Sequence, residues 1–212
     1  MNSELAQFKF CADGGTNRLY DAFEELPEKR ELYIPDEIRG DLDSLRPEVR
    51  SYYAAKGVKI TRIEDQDSHD FMKCVSLLKE KEAELGKTFD VIALPALGGR
   101  FDQTIASINM LYMMKNEVER RVILLSQENI TILLDKGKHQ IHCRPEFEGP
   151  TCGIMPIGAP AKITTRGLRW NLTDHPTHFG GMVSTSNLIA DNLIEIETDS
   201  PLVWTIEIHV NE

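Results

Sequence analysis

The texture of the apolar runs changes once along this chain, and that change limits the folds open to it. Up to about residue 134, extended apolar runs alternate with stretches of helical periodicity. A helix fits DSLRPEVRSYYAAKG, with Ser44 as N-cap, Pro47 in the first turn and Gly57 as the stop. VKITRI (58–63) follows as a β run. A second helix fits from a Ser68 cap, with Phe71, Val75 and Leu78 on one face and Gly86 closing it. FDVIAL (89–94) reads as a buried parallel strand, and 103–115 as a helix with Ile105, Ile108, Leu111 and Tyr112 on one face. RVILLS (121–126) and ITILL (130–134) are further strands. Strands alternating with helices predict an α/β domain with a mainly parallel sheet. After Gly137 only short β-type runs recur: HQIHC, CGIMPI, KITTRGLRW, MVSTS, LIEIET and VWTIEIHV, separated by EGP, GAP, FGG, ADN and DSP. This half predicts an all-β C-terminal sandwich. The boundary falls near Asp135–Lys138, giving domains 1–134 and 135–212.

Charge and cysteines exclude several functions. The net charge of −10 argues against general nucleic-acid or anionic-membrane binding. No apolar run approaches the roughly 20 residues that span a bilayer, and MNSELAQFKF lacks the plan of a signal peptide, so a cytoplasmic protein is expected. Cys11, Cys74, Cys143 and Cys152 form no C-x-x-C pair, which argues against a zinc cluster and for free thiols. The six histidines are scattered, and none has a readable Ser or Cys partner for nucleophilic catalysis.

The acid is concentrated instead. Eight of the fourteen aspartates lie between Asp13 and Asp70, in CADGG (11–15), GDLDS (40–44) and EDQDSHD (64–70). Each cluster stands where a strand should end and a helix begin, the edge of an open α/β sheet at which ligands bind. In an extended segment Asp41 and Asp43 point to one side, with Cα atoms roughly 6–7 Å apart. Two such carboxylates suit a hard cation such as Mg²⁺, and Asp70 offers a third oxygen. Turn formation and helix capping explain the same aspartates, and both readings stand at this point.

Two further segments carry chemistry. LGGRFDQ (97–103) follows a strand; its glycines free backbone N–H groups, Arg100 can fork onto a phosphate, and Asp102 can orient that arginine, bind metal or cap a helix. The segment fits an anion site and a plain βα turn equally. It is neither a Walker P-loop nor a Rossmann fingerprint. In RGLRWNL and VSTSN, Trp170 can stack on a flat heteroaromatic ring while Ser184, Ser186 and Asn187 offer polar contacts. A core tryptophan and a solvated strand face are the alternative.

Taken in order, CADGGTNRLYD (11–21), GDLDSLRPEVRSYY (40–53), DQDSHDFMKC (65–74), GGRFDQ (98–103), GLRWNLT (167–173) and VSTSN (183–187) resemble thiamine pyrophosphokinase of the eukaryotic type. The resemblance implies an α/β catalytic domain that binds ATP and Mg²⁺, followed by a thiamine-binding β-sandwich. It implies a homodimer with active sites between the catalytic domain of one subunit and the sandwich of the other. The implied reaction moves the terminal diphosphate of ATP to the thiamine hydroxyl, giving thiamine diphosphate and AMP. The metal and phosphate positions fall on Asp13, Asp41, Asp43 and Asp70, with Gln66 nearby. The Arg–x–Asp falls on Arg100 and Asp102, and the thiamine side on Trp170, Ser184, Ser186 and Asn187. Arg100 then stabilises developing charge, and Asp70 or Asp102 accepts the hydroxyl proton. Only Met1–Phe10 precede Cys11, where the family has a strand, a loop and a helix. The resemblance therefore also admits a catalytically impaired thiamine- or nucleotide-binding homologue. Pro95 stands where the family often has glycine, and Gln103 where many bacterial members have histidine.

Overall fold

The structure, a computed structural model, describes residues 6–65, 68–115 and 120–209. They form two compact units that divide between Lys87 and Thr88.

The first unit holds β1 (Phe10–Ala12), α1 (Asp13–Asp21), a 3₁₀ helix (Pro27–Tyr33), β2 (Glu37–Gly40), α2 (Pro47–Ala55), β3 (Lys59–Arg62) and α3 (Asp70–Leu85). Its sheet runs β1-β2-β3, parallel throughout, with Ala12 opposite Arg39 and Gly40 opposite Arg62. The strands thus end side by side, and the three acidic segments leave from neighbouring points on one edge. Ile38, Leu45, Val49, Tyr53 and Val58 form the core beneath that edge.

β2 is wholly buried although half of it is charged. Arg39 donates from Nε to Glu37 Oε1 at 3.2 Å, and forks onto Glu80 of α3 at 2.9 and 3.3 Å. Lys59 reaches the other Glu37 oxygen at 3.0 Å. Buried charges persist only when paired, and here the pairing also fastens α3 to β2.

Neither expected serine cap forms. α2 begins at Pro47 behind Arg46, and α3 begins at Asp70 behind His69, both without a side-chain cap. Proline needs no N–H partner in the first turn, and Ser44 and Ser68 bond to Asp43 and Asp65 instead. The expected stops hold: Gly57 and Gly86 take φ of 78° and 64°.

The second unit contains β4 (Val91–Ala93), α4 (Phe101–Met114), β5 (Val122–Leu125), β6 (Asn129–Leu134), β7 (Gly137–His142), β8 (Glu148–Met155), β9 (Ala161–Arg166), β10 (His175–Thr177), β11 (Ser184–Leu188), β12 (Leu193–Thr198) and β13 (Leu202–Ile208). One sheet runs β10-β9-β12-β7, the other β11-β8-β13-β6-β5-β4. All pairs are antiparallel except β4–β5, which is parallel. Ile163, Ile194 and Ile196 of one sheet share a core with Cys152, Ile154, Leu202, Trp204 and Ile206 of the other, which makes the pair a sandwich.

The architecture is the expected α/β unit with parallel strands followed by an all-β sandwich. Texture and compactness divide the chain at different places, because β5 pairs with β6 and carries β4 with it. β4 lies at the sheet's edge, not in its interior: Ile92 is half exposed, so its apolar run did not signal burial. α4 buries Met110, Leu111 and Met114, while Ile105 of the expected face is exposed.

Trp204 is the largest fully buried side chain, whereas Trp170 is half exposed. Trp204→Ala is expected to cost about 3–5 kcal/mol, and Trp170→Ala far less, as read from urea unfolding midpoints. Equal losses would contradict this division of roles.

Candidate active site

Asp13 opens α1 directly after β1 and is 1 % exposed. Its Oδ2 accepts the Ser44 N–H at 3.1 Å, while its Oδ1 is buried with no hydrogen-bond partner. Asp41 and Asp43 follow β2. Carboxylate oxygens of Asp13, Asp41 and Asp43 all lie within 4.8 Å of one another.

The convergence does not come from an extended segment. Leu42, between the two aspartates, has φ of 65°, in the left-handed region that costs a residue with a Cβ about 1–3 kcal/mol. Its side chain packs on the core of Ile38 and Val49, which offsets that strain. The left-handed step lets the Asp43 N–H reach Asp41 Oδ1 at 3.3 Å. Asn17 of α1 secures the loop from both sides: its Nδ2 donates to Ser44 O at 2.7 Å and its Oδ1 accepts the Arg46 N–H at 3.2 Å. Gly40 is required here, since a Cβ would stand 2.6 Å from Asp13 Cβ and 3.2 Å from Asp70 Oδ1.

Asp70, first residue of α3, borders this group without joining the three mutually close carboxylates. Its Oδ1 accepts from Lys73 Nζ at 3.3 Å, and the same ammonium lies 3.8 Å from Asp41 Oδ2. Sequence reading missed Lys73 and Asn17. The signal for Lys73 was available, because a residue one turn after Asp70 on a helix shares its face. Gln66 lies outside the described residues.

These carboxylates do not titrate alike. Burial, and then the neighbouring Asp41 and Asp70, push Asp13 up to about 6 against the pull of the Ser44 N–H. The Asp43 N–H, reinforced by Lys73, holds Asp41 below its ordinary range. Burial raises Asp70, with Lys73 opposing. A buried carboxylate oxygen with no donor, facing further carboxylates, has the chemistry to hold a cation.

The second unit holds the other expected residues. Gly98 and Gly99 take φ of 97° and 72° after β4, and Gly98 N donates to Thr104 Oγ1 at 3.2 Å. Arg100 precedes α4 and forks onto Asp102, Nε to Oδ1 at 3.1 Å and Nη2 to Oδ2 at 2.6 Å. Both side chains are exposed, and the guanidinium holds Asp102 below the usual carboxylate range. On the sandwich, Trp170 stands out with the Arg169 guanidinium 5.0 Å from its ring centroid. Asn187 is buried and grips the Trp170 backbone twice: Oδ1 accepts from Trp170 N at 3.2 Å, and Nδ2 donates to Trp170 O at 2.9 Å. Ser184 is buried beside it, 3.4 Å from the same Nδ2. Ser186 sits in a bulge of β11 at φ of 56° and lines an open cleft of about 500 Å³ with Asn129, Gly153 and Thr205. The structure thus gathers Ser184 and Asn187 beneath Trp170, and turns Ser186 to the outer sheet face.

Asp13 yields a pH prediction for the metal-free chain. Its folded pKa of about 6 exceeds its ordinary 3.8, so the folded chain takes up a proton that the unfolded chain does not bind between those values. Ionised Asp13 therefore costs stability above pH 6, and the cost disappears as pH falls through 6 toward 4. Asp13→Asn is expected to be about 1–3 kcal/mol more stable than the parent at pH 8 and no more stable at pH 4. A difference that stays flat across this range, measured by urea unfolding in chelator, would contradict the assignment.

Comparison with known proteins identifies the family. The family model "Thiamin pyrophosphokinase, catalytic domain" matches residues 3–124, and "Thiamin pyrophosphokinase, vitamin B1 binding domain" matches 138–203. Thiamine pyrophosphokinase 3 of Oryza sativa subsp. japonica is 45% identical over 217 residues, covering 97% of this chain and 80% of the relative. Thiamine pyrophosphokinase of Saccharomyces cerevisiae is 32% identical over 99% of this chain and 80% of its own length. The crystal structure of yeast thiamin pyrophosphokinase superposes with a TM-score of 0.87 at 30% identity, over 97% of this chain and 80% of that one. The chain belongs to the thiamin pyrophosphokinase family.

Proposed function

We propose that this chain is a Mg²⁺-dependent thiamine diphosphokinase, which transfers the terminal diphosphate of ATP to the hydroxyl of thiamine and releases AMP. Family membership supports the reaction. The observation that carries the metal assignment is the Asp13–Asp41–Asp43 group with its orphaned, buried Asp13 Oδ1. Three carboxylates, one of which keeps a buried oxygen with no donor, match the hard-oxygen preference of Mg²⁺. When bound there, Mg²⁺ neutralises charge on the polyphosphate.

The remaining chemistry falls to side chains. Diphosphoryl transfer needs in-line positioning and charge stabilisation more than covalent catalysis. Arg100, oriented by its fork to Asp102, offers its remaining N–H donors to phosphate oxygens. Of the two candidate bases, Asp70 fits better. Burial raises its proton affinity, whereas Arg100 lowers that of Asp102. On the thiamine side, Trp170 supplies a stacking face and Ser186 a hydroxyl, while Ser184 and Asn187 hold Trp170 in place. The functional division follows 1–134 for ATP and metal and 135–212 for thiamine, close to the limits of the two family matches. The reading includes a homodimer with sites shared between subunits, and a cytoplasmic location. No helix among the described residues is long and apolar enough to cross a membrane.

The test is nucleotide chromatography on ATP, thiamine and Mg²⁺. AMP and thiamine diphosphate are expected in equal amounts; ADP in place of AMP, or turnover indifferent to thiamine, would sink the proposal. Asp43→Asn is expected to lower kcat/KM about a hundredfold with an unchanged far-UV spectrum. Near-parent activity at limiting Mg²⁺ would remove Asp43 from the metal site.

A further inference from the structure

We infer that Lys73 is a resident cation filling the seat between Asp41 and Asp70, so that the nucleotide-free site takes a single divalent ion, on Asp13, Asp41 and Asp43. This rests on the metal reading proposed above and adds a positioning residue to it.

Four carboxylates gather at the end of β2, Asp43 through its approach to Asp13 and Asp41. A Cβ on Gly40 would touch Asp13 and Asp70 together, and Asp41 follows it directly. The only ammonium or guanidinium within ion-pair reach of any of the four, among the described residues, is that of Lys73. Its side chain is 3% exposed, with Nζ 3.3 Å from Asp70 Oδ1 and 3.8 Å from Asp41 Oδ2. A buried ammonium is tolerated where anions surround it, and a compact point charge of this kind occupies the place of a metal ion. Two-metal phosphoryl-transfer sites set their ions about 3.5–4 Å apart on shared carboxylates. Asp41 is the carboxylate such a pair would share here, and Lys73 already stands on its outer oxygen. Asp70 is thereby Lys73's partner and is withheld from the metal. The helix enforces the arrangement, since residues 70 and 73 lie one turn apart on α3 and the Arg39–Glu80 fork holds α3 against β2.

Mn²⁺ titration of the full chain without nucleotide, by calorimetry and by Mn²⁺ spin resonance, tests the inference. The parent chain is expected to bind one Mn²⁺. Lys73→Met is expected to bind a second Mn²⁺, or the first about tenfold more tightly, because a neighbouring positive charge has gone. Lys73→Arg keeps the charge and is expected to match the parent in stoichiometry. Asp70→Asn frees Lys73 to compete at Asp41 and is expected to weaken Mn²⁺ about tenfold. Adding Lys73→Met to Asp70→Asn is expected to restore affinity to within about threefold of the parent. One Mn²⁺ at parental affinity in Lys73→Met would overturn the role. So would a double variant as weak as Asp70→Asn, since Asp70 would then itself be a ligand. The Asp70→Asn pair carries the test if Lys73→Met alone does not fold. A chain that makes AMP yet shows either overturning pattern keeps its function and loses only the Lys73 role. A parent chain that binds no Mn²⁺ without nucleotide loses the Asp13–Asp41–Asp43 metal seat and the Lys73 role together, while its function is judged by the AMP it makes.

Discussion

Nothing larger than hydrogen fits on the Cα of residue 40. A methyl there would overlap Asp13 Cβ at 2.6 Å and press on the Asp70 carboxylate at 3.2 Å. The end of β2 thus lies directly against the first residues of α1 and α3, and only that approach lets acids from three separate strand ends meet. The rest of the first unit serves this contact. Parallel pairing aligns the strand ends. The Arg39 fork onto Glu80 draws α3 onto β2. Asn17 ties the loop after Asp43 back to α1.

The sequence disclosed the acidic edge, but for a partly mistaken reason. Asp41 and Asp43 converge because Leu42 turns left-handed with its side chain packed against the core, and no periodicity encodes a single αL residue. No run is assigned to β2 from the sequence because two of its four buried residues are Glu37 and Arg39, whose pairing opposite Ile38 replaces the apolar run by which buried strands are recognised. β4 misled in the opposite sense. Its apolar run marks a short edge strand with a half-exposed isoleucine, since composition reports affinity for a core and not position in a sheet. Ser44 and Ser68 had good capping chemistry and nearby aspartates took their hydroxyls, a local competition decided by geometry. Lys73 was legible from helical spacing alone, but an acid-rich run draws attention to its acids.

The two tryptophans separate what residue type leaves joined. A tryptophan in a small β domain usually lies in the core, and Trp204 does. Trp170 stands out from the sandwich, held by its backbone and not by its ring. Asn187 closes two hydrogen bonds on that backbone, and Ser184 lies within reach of the same amide. A residue whose backbone is fixed in this way loses only side-chain freedom when a flat ring stacks on it. Of the polar residues expected to touch a ligand, Asn187 spends its amide on the Trp170 backbone and Ser184 lies against that amide, which leaves Ser186 apart from them.

The acidic site concentrates several unfavourable terms in a few residues: a left-handed leucine, a buried carboxylate oxygen with no donor, and like charges at close range. Such a group persists because the surrounding core over-determines it, and Ile38, Val49 and Tyr53, all fully buried, form that core. A ligand that binds the folded chain and not the unfolded one adds to stability by mass action. A divalent ion seated among Asp13, Asp41 and Asp43 would relieve the charge terms and leave the backbone strain, so the site is shaped in advance by packing and completed by charge. The asymmetry among its carboxylates follows from the same arrangement. Asp41 is kept ionised by the Asp43 N–H and Lys73, while Asp13, the most buried, is pushed up to about 6 by burial and by its acidic neighbours. The protonation of Asp13 therefore answers most directly to whatever charge stands among the three carboxylates.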